Sequence, residues 1–382
     1  MTKKIYLLIV MALALVAILL LWPGGERTEE DSQLTAALDT LFADMKADDP
    51  GGSFLIMKDG KTLWSGSYGL ADIETGEEFS RKTVANIGSI SKTFVAYGIL
   101  ILQQQGKLSL DDKIGKYFPD FSNTEIAEKV RIIHLITHTS GLPDSRNVSE
   151  NRDFYLTADD EQNFAPLKLT DSLEFEPGSN WNYSNPSYNG LALIIEQVTG
   201  MKWQEFVIEN IFKPAGMKTS TITDGSWPDR GVAHGYRMVD EAWEEYDYGE
   251  FPTFNASGNG GVWSSVDELI KYVEAMNECK FIICETIDLS KRVWEYPNWK
   301  ASEPSTQGLS WVVTNSSDPD KSLCIEHTGS QGGFRAHLMM YPEEDIVVAW
   351  ITNNSQTYSD QIRKVLSEQG YIKDLTLSIF DN

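Results

Sequence analysis

Cysteine is scarce in this sequence. Of 382 residues only three are cysteines, at positions 279, 284 and 324, and no two of them form a Cys-x-x-Cys pair. An odd number of cysteines argues against a scaffold that is built on disulfides. Cys279 and Cys284 are close enough in the chain to bridge, but we expect all three cysteines to be buried or incidental thiols.

Histidine is also scarce, with five residues, and none of them stands beside the cysteines at a metal-ligand spacing. His134 and His138 are four residues apart, so they share a face if the segment is helical. However, no acidic residue lies between them, unlike in a zinc-protease helix, and the following Gly141-Leu142-Pro143 indicates a helix end. We therefore interpret the two histidines as a structural pair, and we predict neither a metal nor a cofactor.

Positive charge is low relative to negative charge. The chain has 32 lysines and arginines against 56 aspartates and glutamates, a formal net charge of −24. A field of that sign repels nucleic acid and anionic lipid headgroups, which excludes both as expected partners of the globular part. Internal repeats and low-complexity tracts are lacking too. The hydrophobic residues make up 41% of the chain, which is enough for a large core.

One long apolar run is present, at the N-terminus. Lys3 and Lys4 precede apolar residues 5–22, and 18 helical residues span ~27 Å, close to the hydrocarbon thickness of a bilayer. Residues 22–25 offer no small-x-small cleavage site, which favours an uncleaved membrane anchor over residues 1–25; a removed signal peptide is the alternative. With the lysines inside, either case predicts that residues 26–382 lie outside the cytoplasm, in the periplasm or at the extracellular face.

Strand patterns occur at both ends of the chain and helical patterns in between. Residues 32–47 predict an amphipathic helix, and Asp59-Gly60 predicts a hairpin between two strands. Further predicted elements are helices at 89–105, 191–198, 266–276 and 359–369 and strands at 309–313, 323–327, 334–341 and 346–352. The sequence thus predicts an α+β fold: an antiparallel sheet flanked by helices, from about 32–85 and 301–382, and a mainly helical lobe from about 86–300. A cleft between two such lobes is a favoured position for a site.

The segment Ser89-Ile90-Ser91-Lys92 carries the first candidate chemistry. A serine hydroxyl needs a base to remove its proton, and residues i and i+3 share a helix face, so Lys92 can reach Ser89. Gly88 lets the backbone turn just before the serine, and a helix N-terminus supplies N–H groups that favour an oxyanion. Taken alone, an ordinary N-cap serine beside an exposed lysine explains this pattern equally well.

Tyr183-Ser184-Asn185 is the second candidate. A tyrosine between two cations loses its proton at lower pH and can act as a base, and the Asn185 amide can hold a substrate backbone. A polar turn is the ordinary explanation of this segment.

His327-Thr328-Gly329 ends a predicted strand and is the third candidate. A strand edge that is followed by glycine lets an extended substrate lie close and pair with the backbone. The backbone N–H groups of Ser330 and Ser89 would then form a two-donor oxyanion hole. A histidine in a polar turn is again the alternative.

The order and spacing of all three motifs resemble those of the serine β-lactamase-like and penicillin-binding-protein family, in the branch with class C β-lactamases, D-alanyl-D-alanine carboxypeptidases, D-aminopeptidases and esterases. That family shows Ser-x-x-Lys, then Tyr-x-Asn, then Lys/His-Thr-Gly. The resemblance covers about residues 35–370, because four further segments are similar to family segments: 87–94, 110–119, 134–143 and 256–265.

The resemblance implies a β-lactamase-like (transpeptidase-like) fold and a role for each motif residue. Ser89 would be the nucleophile, and Lys92 and Tyr183 would activate it and carry its proton to the leaving group. Asn185 would hold the substrate amide, and His327, with Thr328 and Gly329, would bind the substrate, orienting or neutralising its carboxylate or assisting Tyr183.

Two departures from the family pattern affect the expected substrate. His327 stands where β-lactamases usually have lysine, and a neutral histidine holds a carboxylate less well, which argues against efficient β-lactam hydrolysis. No match to the glutamate-containing loop of class A enzymes is found, so deacylation would depend on Tyr183 and Lys92.

These observations predict a serine hydrolase that acts through a Ser89 acyl-enzyme on a small-molecule or peptide substrate, namely a D-Ala-D-Ala-type peptide, a β-lactam or an ester. A carboxylesterase of the same fold is one alternative. A non-catalytic cell-envelope binding protein is another, of a different class. The oligomeric state does not follow from the sequence.

Overall fold

A computed structural model describes residues 29–223, 231–246, 257–294, 305–314 and 318–373. The predicted membrane segment, residues 1–25, lies outside the described residues. Among the residues that are described, no helix is both long enough and apolar enough to cross a bilayer.

The strands lie mainly at the two ends of the described chain, as the sequence predicts. In chain order they are Gly52–Lys58 (β1), Lys61–Tyr68 (β2), Leu70–Asp72 (β3), Glu77–Glu78 (β4), Ala85–Asn86 (β5), Thr221–Ile222 (β6), Tyr236–Val239 (β7), Ala242–Glu245 (β8), Val262–Ser264 (β9), Ser305–Gln307 (β10), Val312–Thr314 (β11), Cys324–Gln331 (β12), Phe334–Tyr341 (β13) and Ile346–Thr352 (β14).

A seven-stranded antiparallel sheet forms the centre of the described structure, in the order β10-β11-β12-β13-β14-β1-β2. The predicted hairpin between β1 and β2 is confirmed: Asp59 and Gly60 both have positive φ, 50° and 69°, as a two-residue turn of this hand requires. Because β1 pairs with β14, segments that are about 300 residues apart in the chain meet in one sheet.

The helices in chain order are Glu29–Leu41 (α1), Ser91–Gln104 (α2), Thr124–Lys129 (α3), Ile132–Ile136 (α4), Arg152–Thr157 (α5), Asp160–Lys168 (α6), Asn185–Thr199 (α7), Trp203–Val207 (α8), Lys213–Ala215 (α9), Ser257–Gly260 (α10), Val266–Asn277 (α11), Cys284–Ser290 (α12) and Ser359–Glu368 (α13). The four helices predicted at 89–105, 191–198, 266–276 and 359–369 are confirmed. The amphipathic helix predicted at 32–47 exists but covers residues 29–41. The α+β class is confirmed, whereas the lobe boundaries near residues 85 and 300 stay a prediction.

Both faces of the sheet are covered. On one face α1 and α13 pack against Phe54, Trp350 and their neighbours, and on the other face the long central helices form the larger core. Every residue from Ser91 to Leu102 in α2 is buried, and a helix that is buried on all sides belongs to the interior of a domain. Its first turn nevertheless contains Ser91, Lys92 and Thr93, and buried polar groups of this kind require partners.

A buried polar cluster joins β12 to α13 on the first face. Glu326 and Arg363 form an ion pair, and His337 Nε2 lies 2.7 Å from Glu326 Oε2. His337 Nδ1 is 2.6 Å from Ser359 Oγ, and Thr314 donates a hydrogen bond of 2.9 Å to Glu326 Oε1. The cluster therefore fixes β12 at the residue immediately before His327.

One predicted strand is misplaced. The sequence predicts a strand at 309–313, but the structure has β10 and β11 on either side of residues 308–311. Gly308 N donates to Trp311 O at 2.7 Å, and Ser310 has a φ of 71°, so the chain reverses here. A run of apolar residues cannot reveal a tight turn that is imposed by packing against Ser290.

The expectation for two of the cysteines is wrong, because Cys279 and Cys284 form a disulfide. Cys279 takes a left-handed conformation, with a φ of 54°, just after α11 ends, and the chain reverses before α12 begins at Cys284. This turn brings the two Cα atoms to 5.2 Å, within the usual range for a disulfide. Cys324 is a buried free thiol, as predicted.

Candidate active site

Ser89 lies in a short 3₁₀ turn, Gly88–Ile90, that leads into α2. This turn is pressed against β12. A Cβ added to Gly88 would lie 2.4 Å from Ser330 N, and one added to Gly329 would lie 1.9 Å from Ile87 O. Only glycine fits at these two positions, and the contact places the Ser330 nitrogen beside the turn that carries Ser89. The structure thus brings together the two segments whose N–H groups are predicted to form the oxyanion hole.

We expect Gly88→Ala to lower kcat/KM by about 100-fold, because the added methyl group must push the turn away from β12, and a displacement of about 1 Å at a catalytic group has a cost of this size. Gly200→Ala is the matched control. Gly200 also has a positive φ, 71° against 51° for Gly88, but a Cβ added to it at the end of α7 would meet open space. Steady-state kinetics on one ester should separate the two variants, and equal values for both would show that the close contact is not needed.

Lys92 is fully buried, and its amine has two partners. Nζ lies 3.0 Å from Ser89 Oγ and donates to Asn259 O at 2.7 Å. Burial, assisted by the charge of Arg146, lowers the pKa of Lys92 well below its ordinary value. A neutral amine can donate to the Asn259 carbonyl and still accept the Ser89 proton with its lone pair. Lys92 is therefore placed and tuned as a base for Ser89.

Tyr183 hydrogen-bonds to Ser89, and its ring centre is 5.1 Å from Lys92 Nζ. The sequence-based expectation that neighbouring cations lower the pKa of Tyr183 is wrong in direction. The side chain is partly exposed, but the protein packed around it raises the pKa well above 10, and the Lys92 amine brings no full positive charge to oppose this effect. Tyr183 is consequently a neutral phenol, suited to pass a proton on rather than to act as a phenolate base.

His138 packs against the ring of Tyr183. The two ring centres are 4.4 Å apart, and His138 Nδ1 accepts a hydrogen bond from Ser184 N at 3.1 Å. His134 Nδ1 accepts from Arg131 N at 3.2 Å instead. The two histidines thus hold separate pieces of backbone. Within the part of the chain that the structure describes, no group of three histidine, cysteine or acidic residues is arranged to hold a metal ion.

His327 is buried directly after the polar cluster on β12, and its Nδ1 lies 2.7 Å from Thr328 O, to which it donates. Burial lowers the pKa of His327 to about 3. The imidazole is therefore uncharged at neutral pH. It can hydrogen-bond a substrate, but it cannot neutralise a carboxylate, which is one of the roles expected for it.

Asn185 is the first residue of α7 and is partly exposed, two residues after Tyr183. Ser184 caps this helix, since its Oγ accepts from Ser187 N at 3.3 Å. The cap fixes the direction in which the chain leaves Tyr183, so the Tyr-x-Asn spacing is held by a helix start.

A cavity of about 420 Å³ opens along the last residues of β12. Thr328, Gly329 and Ser330 form one wall, and Arg335 with the start of α13 forms another. None of Ser89, Lys92 and Tyr183 lines this cavity, so it borders the third motif from the side of α13. Sequence reasoning assigned no part in this cavity to Arg335 or to the start of α13, because neither belongs to one of the three motifs.

The β-lactamase family model matches residues 38–368. This chain belongs to the β-lactamase family. That membership confirms the predicted β-lactamase-like fold and the assignment to the serine hydrolases.

Among curated proteins, this family member is similar to penicillin-binding protein 4* of Bacillus subtilis (strain 168), with 28% identity over 334 residues, 84% of this chain and 72% of the relative. Among solved structures it resembles an octameric penicillin-binding protein homologue from Pyrococcus abyssi, with a TM-score of 0.73 and 25% identity, over 88% of this chain and 76% of the other. D-amino acid amidase from Ochrobactrum anthropi SV3 shares the fold at a TM-score of 0.70 and 20% identity, over 90% of this chain and 97% of the other.

The partner of Lys92 in this β-lactamase-family site was also missed by sequence reasoning. Residues 256–265 are similar to a family segment, but the pattern gives no role to the Asn259 carbonyl, which accepts the Lys92 hydrogen bond. A backbone acceptor carries no side-chain signature, so no local sequence signal could have identified it.

Proposed function

We propose that the protein is an extracytoplasmic serine hydrolase that opens an amide or ester bond through an acyl-enzyme on Ser89. One observation carries the proposal: the buried Lys92 amine, with a strongly lowered pKa, lies 3.0 Å from Ser89 Oγ. A hydroxyl beside a base of this kind is the arrangement that nucleophilic catalysis requires.

In the first half-reaction Lys92 takes the Ser89 proton while Oγ attacks the substrate carbonyl carbon. The oxyanion that forms is held by the backbone N–H groups of Ser89 and Ser330. The Tyr183 hydroxyl passes the proton to the leaving amine or alcohol as the bond breaks. In the second half-reaction a water molecule loses a proton to Lys92 and attacks the carbonyl carbon of the Ser89 ester. Lys92 returns that proton to Ser89 Oγ as the ester bond breaks and the acid product leaves.

The substrate we propose is a small molecule or a short peptide of the D-Ala-D-Ala type, a β-lactam or an ester. The printed names of the similar proteins support this class, since they refer to penicillin binding and to a D-amino acid amidase. The uncharged His327 favours the alternative of a carboxylesterase, since it gives no full positive charge to a substrate carboxylate.

The proposed location outside the cytoplasm, with residues 1–25 as anchor or signal, is supported by the lysines and the apolar run of the N-terminus. The disulfide between Cys279 and Cys284 adds independent support, because disulfides persist in oxidising compartments. Cell fractionation of the full chain tests this part of the proposal; recovery in the cytosolic fraction would contradict it.

Intact-mass spectrometry tests the activity. The protein is incubated separately with a nitrophenyl ester and with a penicillin, and the rates are compared with release of D-alanine from a D-Ala-D-Ala peptide. We expect a mass increase of one acyl group with at least one reagent, mapped to Ser89. Absence of both labelling and turnover would favour the non-catalytic cell-envelope binding protein.

We expect His327→Lys to raise the acylation rate by penicillin about tenfold relative to that by a neutral nitrophenyl ester, since a lysine ammonium can pair with the penicillin carboxylate, and ~1.4 kcal/mol suffices for this ratio. His327→Gln is the control, because it keeps a neutral hydrogen-bonding group at the same place. A ratio that is equal in both variants would show that position 327 does not contact the carboxylate.

A further inference from the structure

We propose that Asp160 is a positioning residue for the catalytic base, acting through Asn189 and Asn259 on Lys92. Asp160 lies at the start of α6 and belongs to none of the motifs or family-like segments of the sequence. The proposal rests on the proposed function, because it assumes that Lys92 is the base for Ser89.

The Asp160 carboxylate is buried and accepts hydrogen bonds from three different segments. Oδ1 accepts from Asn189 Nδ2 at 2.6 Å and from Gly258 N at 2.9 Å, and Oδ2 accepts from Trp203 Nε1 at 3.1 Å. Three donors converge on one carboxylate, which thereby joins the starts of α6 and α8 and the middle of α7 to the turn at residues 257–260.

The first contact continues towards the base. Because Asn189 gives its amide N–H₂ group to Asp160, its Oδ1 faces the other way, where it accepts from Asn259 Nδ2 at 3.2 Å. The Asn259 carbonyl in turn accepts from Lys92 Nζ at 2.7 Å. The Asp160 carboxylate therefore fixes the orientation of the Asn189 amide group. That orientation places Asn189 Oδ1 where it can accept from Asn259.

The second contact fixes the backbone directly. Gly258, which donates to Asp160, precedes Asn259, and the turn is tightly enclosed: a Cβ on Gly258 would lie 2.8 Å from Ala192 Cβ and 3.0 Å from Asp160 Oδ1. Asp160 therefore holds Asn259 in two ways. Asn189 links Asp160 to the side chain of Asn259, and Gly258 links it to the backbone just before Asn259. A small rotation of this turn would move the carbonyl that holds Lys92.

The ionised form of Asp160 is the one that accepts all three bonds. Burial raises the pKa of Asp160 to about 7, its three hydrogen bonds oppose the rise, and Glu196 on α7 adds to it. If the carboxyl were protonated, its O–H group would point at one of the three N–H groups. That N–H group would then lose its hydrogen-bond acceptor.

Two variants test the proposal in the full-length protein. Asp160→Ala removes the acceptor, and Asn259→Ala removes only the side-chain link while leaving the carbonyl, at a partly exposed position. For nitrophenyl ester hydrolysis we expect kcat to fall about 10- to 100-fold in Asp160→Ala and less in Asn259→Ala, with KM changed less than about twofold.

The pH profile supplies a readout that a purely structural role would not move. The acid limb of kcat/KM should shift to lower pH, since the Lys92 cation loses a well-placed acceptor and, in Asp160→Ala, the carboxyl that titrates near 7 is absent. The other titratable groups around Lys92, namely Arg146, His138, His327, Tyr183 and Tyr188, are unchanged in every variant.

Two further variants serve as controls. Asp160→Asn keeps an amide oxygen for Asn189 and Gly258, so it should retain at least about a third of the wild-type kcat. Trp203→Phe removes only the bond to Oδ2 and leaves the two bonds that reach the turn at residues 257–260, so it should lower thermal stability and reduce kcat less than Asp160→Ala does.

The proposal is overturned if folded Asp160→Ala and Asn259→Ala both keep the wild-type kcat and acid limb, or if Trp203→Phe lowers kcat as much as they do. Should Asp160→Ala fail to fold, Asn259→Ala and Asp160→Asn decide alone. Failure of the proposed function itself has a different signature: the wild-type protein would show neither turnover nor labelling of Ser89.

Discussion

Ser89→Ala is expected to lower kcat for ester hydrolysis by at least about 10⁴-fold, the range found when the nucleophile of a serine hydrolase is removed. The reason is that neither neighbour can replace the hydroxyl. Tyr183 is held as a neutral phenol and the Lys92 amine is fully buried beneath the serine. Any remaining rate would come from the oxyanion hole and binding alone. The measurement is hydrolysis of a nitrophenyl ester together with the intact mass after incubation.

Ser91→Ala is the matched control, two residues further along the same segment. Ser91 is buried and its Oγ accepts a hydrogen bond from Val262 N at 2.9 Å, so its loss affects stability but removes no reacting group. The control protein should still gain an acyl group. An acyl adduct of unchanged yield in Ser89→Ala would refute the mechanism.

Arg363→Met is expected to lower the free energy of unfolding by about 3–5 kcal/mol, because it leaves the buried carboxylate of Glu326 without its cation. Arg363 and Glu326 are an ion pair between α13 and β12, and both side chains are almost completely buried. Nearby Arg363 and His337 lower the pKa of Glu326 to about 2 despite burial. Urea unfolding of both proteins at neutral pH measures the difference.

The pH dependence of this difference has a fixed sign. A carboxyl whose folded-state pKa is about 2, below its ordinary 4.5, contributes stability that is complete above about pH 4.5 and is lost as the pH falls towards 2. The gap between the wild-type protein and Arg363→Met should therefore be largest near neutral pH and shrink in acid.

Lys364→Met controls for the loss of a positive charge from α13. Lys364 is the next residue, 64% exposed, and its nitrogen is 3.8 Å from Glu368. An exposed pair of this kind contributes at most about 1 kcal/mol. If both substitutions lowered the free energy of unfolding equally, the buried ion pair would contribute no more to stability than the exposed pair.

The parts of the fold that the sequence reveals are those with a local signal. The hairpin at Asp59–Gly60 follows from two residues that tolerate positive φ, and α13 follows from helical periodicity. The prediction of a strand at 309–313 fails because the chain reverses at Ser310, where Leu309 N donates to Ser290 O, a residue 19 positions earlier.

In the candidate site, too, the sequence reveals the contacts that have a local signal and misses those that depend on the folded chain. The closeness of Lys92 to Ser89 could be predicted because one helical turn relates the two residues, whereas that of Tyr183 is expected only from the resemblance to the family's Tyr-x-Asn motif. The direction of the Tyr183 pKa change is predicted wrongly because burial of the whole site, Lys92 included, is a property of the folded chain. Asp160 and Asn259 stay hidden since 98 residues separate Asp160 from Gly258, the residue before Asn259, with no shared pattern.

The pairing of β1 with β14 has a consequence for biosynthesis. Gly52 is opposite Thr352 in the ladder, so 300 residues must be made after the first strand before its partner exists. Contacts between such distant segments form slowly, and a nascent chain cannot complete them while its end is still inside the ribosome. Ser89 and Lys92 lie between these strands in the chain, so the polypeptide should acquire its activity only after β14 has left the ribosome, and truncation before Ile346 should leave an open sheet edge that aggregates.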